Sequence, residues 1–223
     1  MEMHTPFTLH ATLMGQVRAA VLELPDARVE ATPLPQRQAM AALEMELATL
    51  HAGCQPGEIP GLKAARRLYH AAGVDPTRTR PSSEALLRRV LKGQGLPLVN
   101  SAVDAGNELS LRILLPLGLY DAMRVEGPVT LRKGLAGEGY PGIRKEDVHL
   151  EGRLALFDQA GPFGSPTSDS PRTCVGLSTT RLLLVIFAPG DCPGTELEAA
   201  LDLGARLFTR WCGASTGGRR ILS

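Results

Sequence analysis

Aromatic residues are scarce in this chain: Phe, Trp and Tyr make up 4% of its 223 residues, with a single tryptophan. Proteins that grip single-stranded nucleic acid by stacking need several rings among their basic residues, so that mode of recognition is not indicated. A charge of one sign is missing too. Lys and Arg number 24 against 23 Asp and Glu, for a formal net charge of +1, so the molecule as a whole has no electrostatic claim on nucleic acid or membrane. No long hydrophobic run exists. The longest, Leu182–Pro189, is far short of the ~20 residues of a membrane helix.

Cys54, Cys174, Cys192 and Cys212 are widely separated, with no CxxC and no nearby His pair. That spacing argues against a zinc site and favours reduced thiols. His70 and His149 have no carboxylate or Cys at ligand spacing, so no metal and no cofactor is expected. A Gly-rich phosphate loop and a GxSxG elbow are both absent. The N-terminal MEMHTPFTLH has no basic region leading into an apolar run, unlike a secretory signal, and a soluble cytoplasmic protein is expected.

What is present is ordinary for a globular domain: 43% apolar and 21% charged residues, enough to bury a sizeable core. Val17–Leu24 reads as a strand. Helical spacing marks Gln36–His51, Leu62–Ala72 and Glu84–Lys92, and the stretch LPLVNSAVDAGNELSLRILLPLGLYD (96–121) reads as a further helix. After Asp121 come short β-rich runs at Val129–Arg132, Leu154–Asp158, Thr173–Leu177 and Leu182–Phe187, with 158–171 as a loop. An amphipathic helix closes the pattern at Thr195–Cys212. Helices first, strands second and a helix last predict an α+β fold rather than alternating βαβ units.

Asn100, Asp104 and Asn107 interrupt the apolar 96–121 stretch at spacings of four and three, and so fall in one narrow helical arc at the edge of the buried face. Partly desolvated, each must find a partner or cost about 1–3 kcal/mol. Two readings follow: they tie the helix to neighbouring backbone, or they line a pocket between helix and sheet. Eight basic residues, Lys63, Arg66, Arg67, Arg78, Arg80, Arg88, Arg89 and Lys92, face only Asp75 and Glu84 in that interval. They form either a phosphate-contacting patch or a solvated helical face. Glu138, flanked by glycines in GLAGEGY, is a turn residue or a general base for a water. Arg132 is placed to pair with Asp104, Asp121 or Glu138, and Thr179 and Thr180 can bond backbone or a ligand.

The frame LPLVNSAVDAGNELSL…LPLGLYD, then VTLRKGLAGEGY, then RTCVGLSTTRLLLVIF resembles the B3/B4 domain of the phenylalanyl-tRNA synthetase β subunit, and more closely the stand-alone B3/B4-domain proteins. The likeness covers about residues 60–190, which sets off 56–223 as the B3/B4-like domain and 1–55 as an N-terminal extension packed on it. It implies a β-sandwich of unusual topology flanked by helices. In the synthetase that domain hydrolyses tyrosine wrongly esterified to tRNA, so the resemblance implies tRNA or aminoacyl-tRNA as partner, with no membrane. It also implies ester hydrolysis in trans as the candidate activity. The family's helix residues match Asn100, Asp104 and Asn107, with Asn107 beside the editing pocket.

This chain departs from the family at three places. The threonine before that Asn is Gly106, the pocket histidine falls at Gly118, and the glutamate that reads the phenol falls at Ile186. The tyrosine-reading constellation is thus absent. Three alternatives remain: an editing enzyme for another ester, a non-catalytic RNA- or ligand-binding module, or a small-molecule hydrolase or amino-acid-binding protein that uses the same pocket without the basic patch. In the first, Asn107 stabilises the oxyanion and Glu138 is the base, while Asn100, Asp104, Gly118 and Thr180 contact substrate. In the first two, Arg66, Arg67, Arg78, Arg80, Arg88, Arg89 and Lys92 meet RNA.

Overall fold

The computed structural model describes residues 5–143 and 147–223. At its centre are two strands with few polar residues, β2 (Val17–Leu24) and β9 (Leu182–Pro189), paired antiparallel. Such strands are apolar on both faces only where both faces are covered. Here one face meets helices and the other meets a second sheet.

The central sheet has the order β10-β2-β9-β3, where β3 is Leu117–Asp121 and β10 is Arg219–Leu222. The outer sheet has the order β1-β4-β7-β8. Its strands are β1 (Phe7–Leu9), β4 (Val129–Lys133), β7 (Leu154–Asp158) and β8 (Gly161–Gly164), and β1 runs parallel to β4. A hairpin of β5 (Gly139–Pro141) and β6 (Asp147–His149) forms a separate two-stranded sheet whose Tyr140 packs on Ala155 and Phe157 of β7.

Alternation along the central strands builds two cores from one sheet. Leu22, Leu184 and Ile186 pack against α4 (Ser101–Ile113) and α5 (Gly194–Cys212) through Ala105, Leu109, Leu201 and Phe208. Val21, Leu183, Val185 and Phe187 face the other way, onto Val129, Leu131, Leu156 and Phe163 of the outer sheet. The result is an α+β fold of three layers: helices, central sheet, outer sheet. A third cluster joins α1 (Leu34–Leu50), α2 (Pro60–Ala71) and α3 (Ser82–Leu91) through Leu43, Leu47, Leu62, Leu87 and Val90. Among the described residues no helix is long and apolar enough to cross a membrane.

Several expectations need correction. The helix expected across 96–121 stops at Ile113, Leu114 takes a left-handed backbone with φ 55°, and the chain re-enters as strand β3. Pro116 explains the stop, because it has no N–H to donate and disfavours helix in the residue before it. Thr173–Leu177 is not a strand: a single 3-10 turn spans Pro171–Thr173, and an irregular segment follows. The expected loop 158–171 contains β8, whose sequence GPFG has one strong strand former. Strands β1 and β10 were not expected at all. Within the segment set off as an extension, residues 7–24 supply β1 to the outer sheet and β2 to the middle of the central one.

Candidate functional site

Asn100 is the N-cap of α4. Its side-chain oxygen accepts from the N–H groups of Ala102 and Val103 at 3.1 and 2.9 Å, which satisfies two of the donors every helix start leaves open. Asp104, fully buried, accepts from the Thr32 hydroxyl and from Val99 N–H. Burial pushes its carboxyl above the usual range, and those two bonds only partly oppose the shift. The start of α4 is further tied to the segment ahead of α1, through Ser101 N–H to the Glu30 carbonyl at 2.8 Å and Gln36 to the Ser101 carbonyl at 2.9 Å. Asn107 differs. It is half-buried, and its amide has no hydrogen-bond partner among the described residues. Gly106 beside it faces Leu117 and Leu119, but an added Cβ would sit 3.6 Å away or more, in ordinary contact.

Gly118 lies on the opposite face of the central sheet from this stripe. Leu117 and Leu119 of β3 look toward α4, while Gly118 and Tyr120 look toward the outer sheet. A Cβ at Gly118 would overlap the Tyr120 hydroxyl, and so would one at Gly164 across the interface. Tyr120, fully buried, therefore stands in a slot walled by two glycines and meets Phe163 edge-on at 5.0 Å between ring centroids. Its hydroxyl oxygen and Asp169 Oδ1 are both buried without an aligned hydrogen-bond partner. Burial, and then the nearby Asp169 charge, drive the phenol pKa up; burial likewise pushes the Asp169 carboxyl up to about 7. No local signal in SPTSDSP distinguishes this acid from a loop residue. Thr180 is exposed, and its carbonyl accepts from Ala27 N–H at 2.9 Å. Thr179 is buried and donates to Asp121 at 2.9 Å.

Glu138 is held by Arg132 through two bonds of 2.7 Å and accepts a third from Leu135 N–H at 2.7 Å. The Arg132 guanidinium also lies 3.4 Å over the Phe157 ring. Arg132 first, then the Leu135 bond, hold the Glu138 carboxyl down to about 2. A carboxylate so acidic and already engaged is poorly matched to removing a proton at neutral pH.

The basic residues divide. Glu84, with 1% of its side chain exposed, is gripped bidentately by Arg66 at 2.8 and 2.8 Å and by Arg88 at 2.9 Å, with Arg80 at 3.7 Å. Three guanidinium groups share one carboxylate, leaving two net positive charges. Burial alone would raise the Glu84 pKa; the bonds from Arg66 and Arg88 outweigh it and bring the pKa below its ordinary value. The other cations stand apart: Arg67 pairs with Asp191 at 3.1 Å and Arg78 with Asp75 at 3.9 Å, Arg89 donates to the Gly95 carbonyl at 3.1 Å, and Lys92 is exposed. No group of three or more His, Cys, Asp or Glu among the described residues could hold a metal ion.

Glu84→Gln is expected to cost about 2 kcal/mol in urea unfolding at neutral pH. Breaking a buried pair costs about 3–5 kcal/mol, reduced here because the arginines are partly solvated. The native carboxylate has the lower pKa, so its contribution is present above the unfolded value and lost as pH falls. The difference between wild type and variant should therefore shrink below about pH 4.

The pattern of the B3/4 domain family matches residues 64–191, more than half of the chain. The phenylalanine–tRNA ligase beta subunit of Chromobacterium violaceum is 27% identical over 118 residues, 51% of this chain and 15% of the relative. That of Corynebacterium glutamicum is 25% identical over 181 residues, 70% of this chain and 21% of the relative. The chain thus spans about a fifth or less of these subunits. An N-terminal fragment of the phenylalanyl-tRNA synthetase beta subunit from Pyrococcus horikoshii superposes with a TM-score of 0.53 at 11% identity, over 100% of this chain and 55% of that one. That likeness concerns the fold. With the sequence match running from α2 through β9, the chain belongs to the B3/4 domain family.

Proposed function

We propose that this protein is a tRNA-associated B3/4 module that binds RNA backbone at the Arg66–Arg80–Arg88 cluster and performs no chemistry of its own. The observation that carries this reading is the sharing of one buried carboxylate, Glu84, by three guanidinium groups. Glu84 fixes the side chains in place, so less rotamer entropy is lost when a phosphate arrives, and two uncompensated charges remain to attract it. The Arg132 grip on Glu138 and the capping role of Asn100 support the absence of catalysis.

A second reading, hydrolysis of a mischarged aminoacyl ester in trans, rests on Asn107. Its half-buried, unpartnered amide is free to donate to an oxyanion formed when water attacks the ester.

One experiment separates them. The full chain is titrated with tRNA over a range of salt, and then incubated with a panel of mischarged aminoacyl-tRNAs. Expected is salt-dependent binding that weakens about tenfold in Arg88→Ala/Arg89→Ala, with the slope of log affinity against log salt shallower by about 1–2. Thermal melting checks that the variant is folded. Binding without ester hydrolysis supports the first reading. Hydrolysis that drops about a hundredfold in Asn107→Ala selects the second. Binding indifferent to salt and to these arginines sinks both.

A further inference from the structure

An open cleft lies between the end of α2, strand β6, the start of β7 and the loop that follows β8. Its floor is apolar, formed by Ala72, Val74, Val148, Leu150 and Leu154. Its polar lining is one-sided: among the described residues it holds Arg153, three hydroxyl-bearing residues at 79, 165 and 167, and Tyr69, but no Asp or Glu. Tyr69 donates to the Pro166 carbonyl at 2.9 Å, which occupies an acceptor that a ligand ammonium could otherwise use. The Thr167 hydroxyl, 2.9 Å from the same phenol oxygen, must then donate to it.

Two cations beside this floor are uncommitted. Arg153 is exposed, and its guanidinium makes no ion pair or hydrogen bond among the described residues. Lys133 likewise lacks a partner, and its ammonium lies 3.9 Å from where a Cβ would stand on Gly73, between Ala72 and Val74. An apolar concavity with unpaired positive charge at its rim selects by chemistry.

We infer that this cleft binds a small organic anion. An aliphatic body lies on Val74, Val148 and Leu154, and an oxyanion head, carboxylate or phosphate, is held by Arg153 with Lys133. A zwitterionic amino acid fits poorly, because its ammonium would meet two cations and no carboxylate among the described lining residues. This site is independent of RNA binding at the Glu84 cluster.

The test uses the full chain and four probes of matched body: 4-methylpentanoate, isopentyl phosphate, leucine and 4-methylpentanol. Saturable binding of one or both anions is expected, with perturbed methyl resonances of Val74 and Val148 by NMR. Arg153→Gln should weaken it about tenfold, and so should about 0.5 M salt. Which anion binds better identifies the head group. Leucine and the alcohol should bind at least about tenfold more weakly. The inference is overturned if the alcohol binds as well as the anions, if Arg153→Gln changes nothing, or if no probe perturbs these methyls. Because Arg153 is exposed, its substitution leaves the fold intact, and tRNA binding by Arg153→Gln should equal that of wild type. Failure here and failure of the RNA reading are therefore separately visible.

Discussion

Adding a single methyl group at Gly118 is expected to cost more than about 3 kcal/mol, beyond the usual range for overpacking a core. The new Cβ would overlap the Tyr120 hydroxyl and lie 2.7 Å from Cε2 of the same ring. Relief by rotation of the ring is blocked, because Gly164 walls the other side and its own Cβ position also overlaps the hydroxyl. Relief by displacement is blocked by Phe163, itself fully buried.

Tyr120→Phe tests the same slot from within. The hydroxyl lies beside the buried Asp169 carboxyl but is not well aligned with it, so its removal should change stability by no more than about 1 kcal/mol. In the Tyr120→Phe background, Gly118→Ala should cost less than in wild type, with a coupling of about 1 kcal/mol or more in urea unfolding. Additive effects would mean that the two positions do not share the slot. A substrate role for Gly118 would have to be reached through a position that Tyr120 already fills.

Asp169→Asn should act in the opposite direction and raise stability at neutral pH and above. The native carboxyl sits at about 7, whereas an unfolded aspartate titrates near ~3.9. Between those values the native state keeps a proton that the unfolded chain has released. Wild-type stability therefore falls as pH rises from about 4, by about 1.4 kcal/mol per unit, and levels off above about 7. The total is about 4 kcal/mol. The ionisable groups coupled to it are two phenols, Tyr120 and Tyr140, which offer no compensating positive charge. Asparagine keeps the shape without the charge. The variant should match wild type near about pH 4 and exceed it by about 4 kcal/mol at about pH 8. Parallel stability curves for the two proteins across this range would contradict the buried-acid account.

Legibility in the sequence followed the range of the forces involved. The helices at 34–50, 60–71, 82–91 and 194–212 lie within two residues of their expected bounds, because helical hydrogen bonds and periodicity are both local. Strands β2 and β9 were legible as bounded apolar runs. The 96–121 stretch misled for the same local reason: its apolar residues satisfy helix and strand alike, and only the Leu114–Leu115–Pro116 break tells them apart. Strand β8 was missed because GPFG becomes a strand only by pairing with β7.

The family likeness and the α+β class were set by residue order alone, since the three motifs and the helix-strand-helix progression are properties of the chain as written. What each polar side chain does was decided by folding. Asp104 meets Thr32 from 72 residues away, and Glu84 takes Arg66 from another helix. Tyr120 and Asp169 approach each other only because two sheets close over them. Spacing along a chain limits which groups can share a helical face, but the partner of a desolvated polar group is chosen by packing, where contacts distant in sequence become neighbours and water no longer competes.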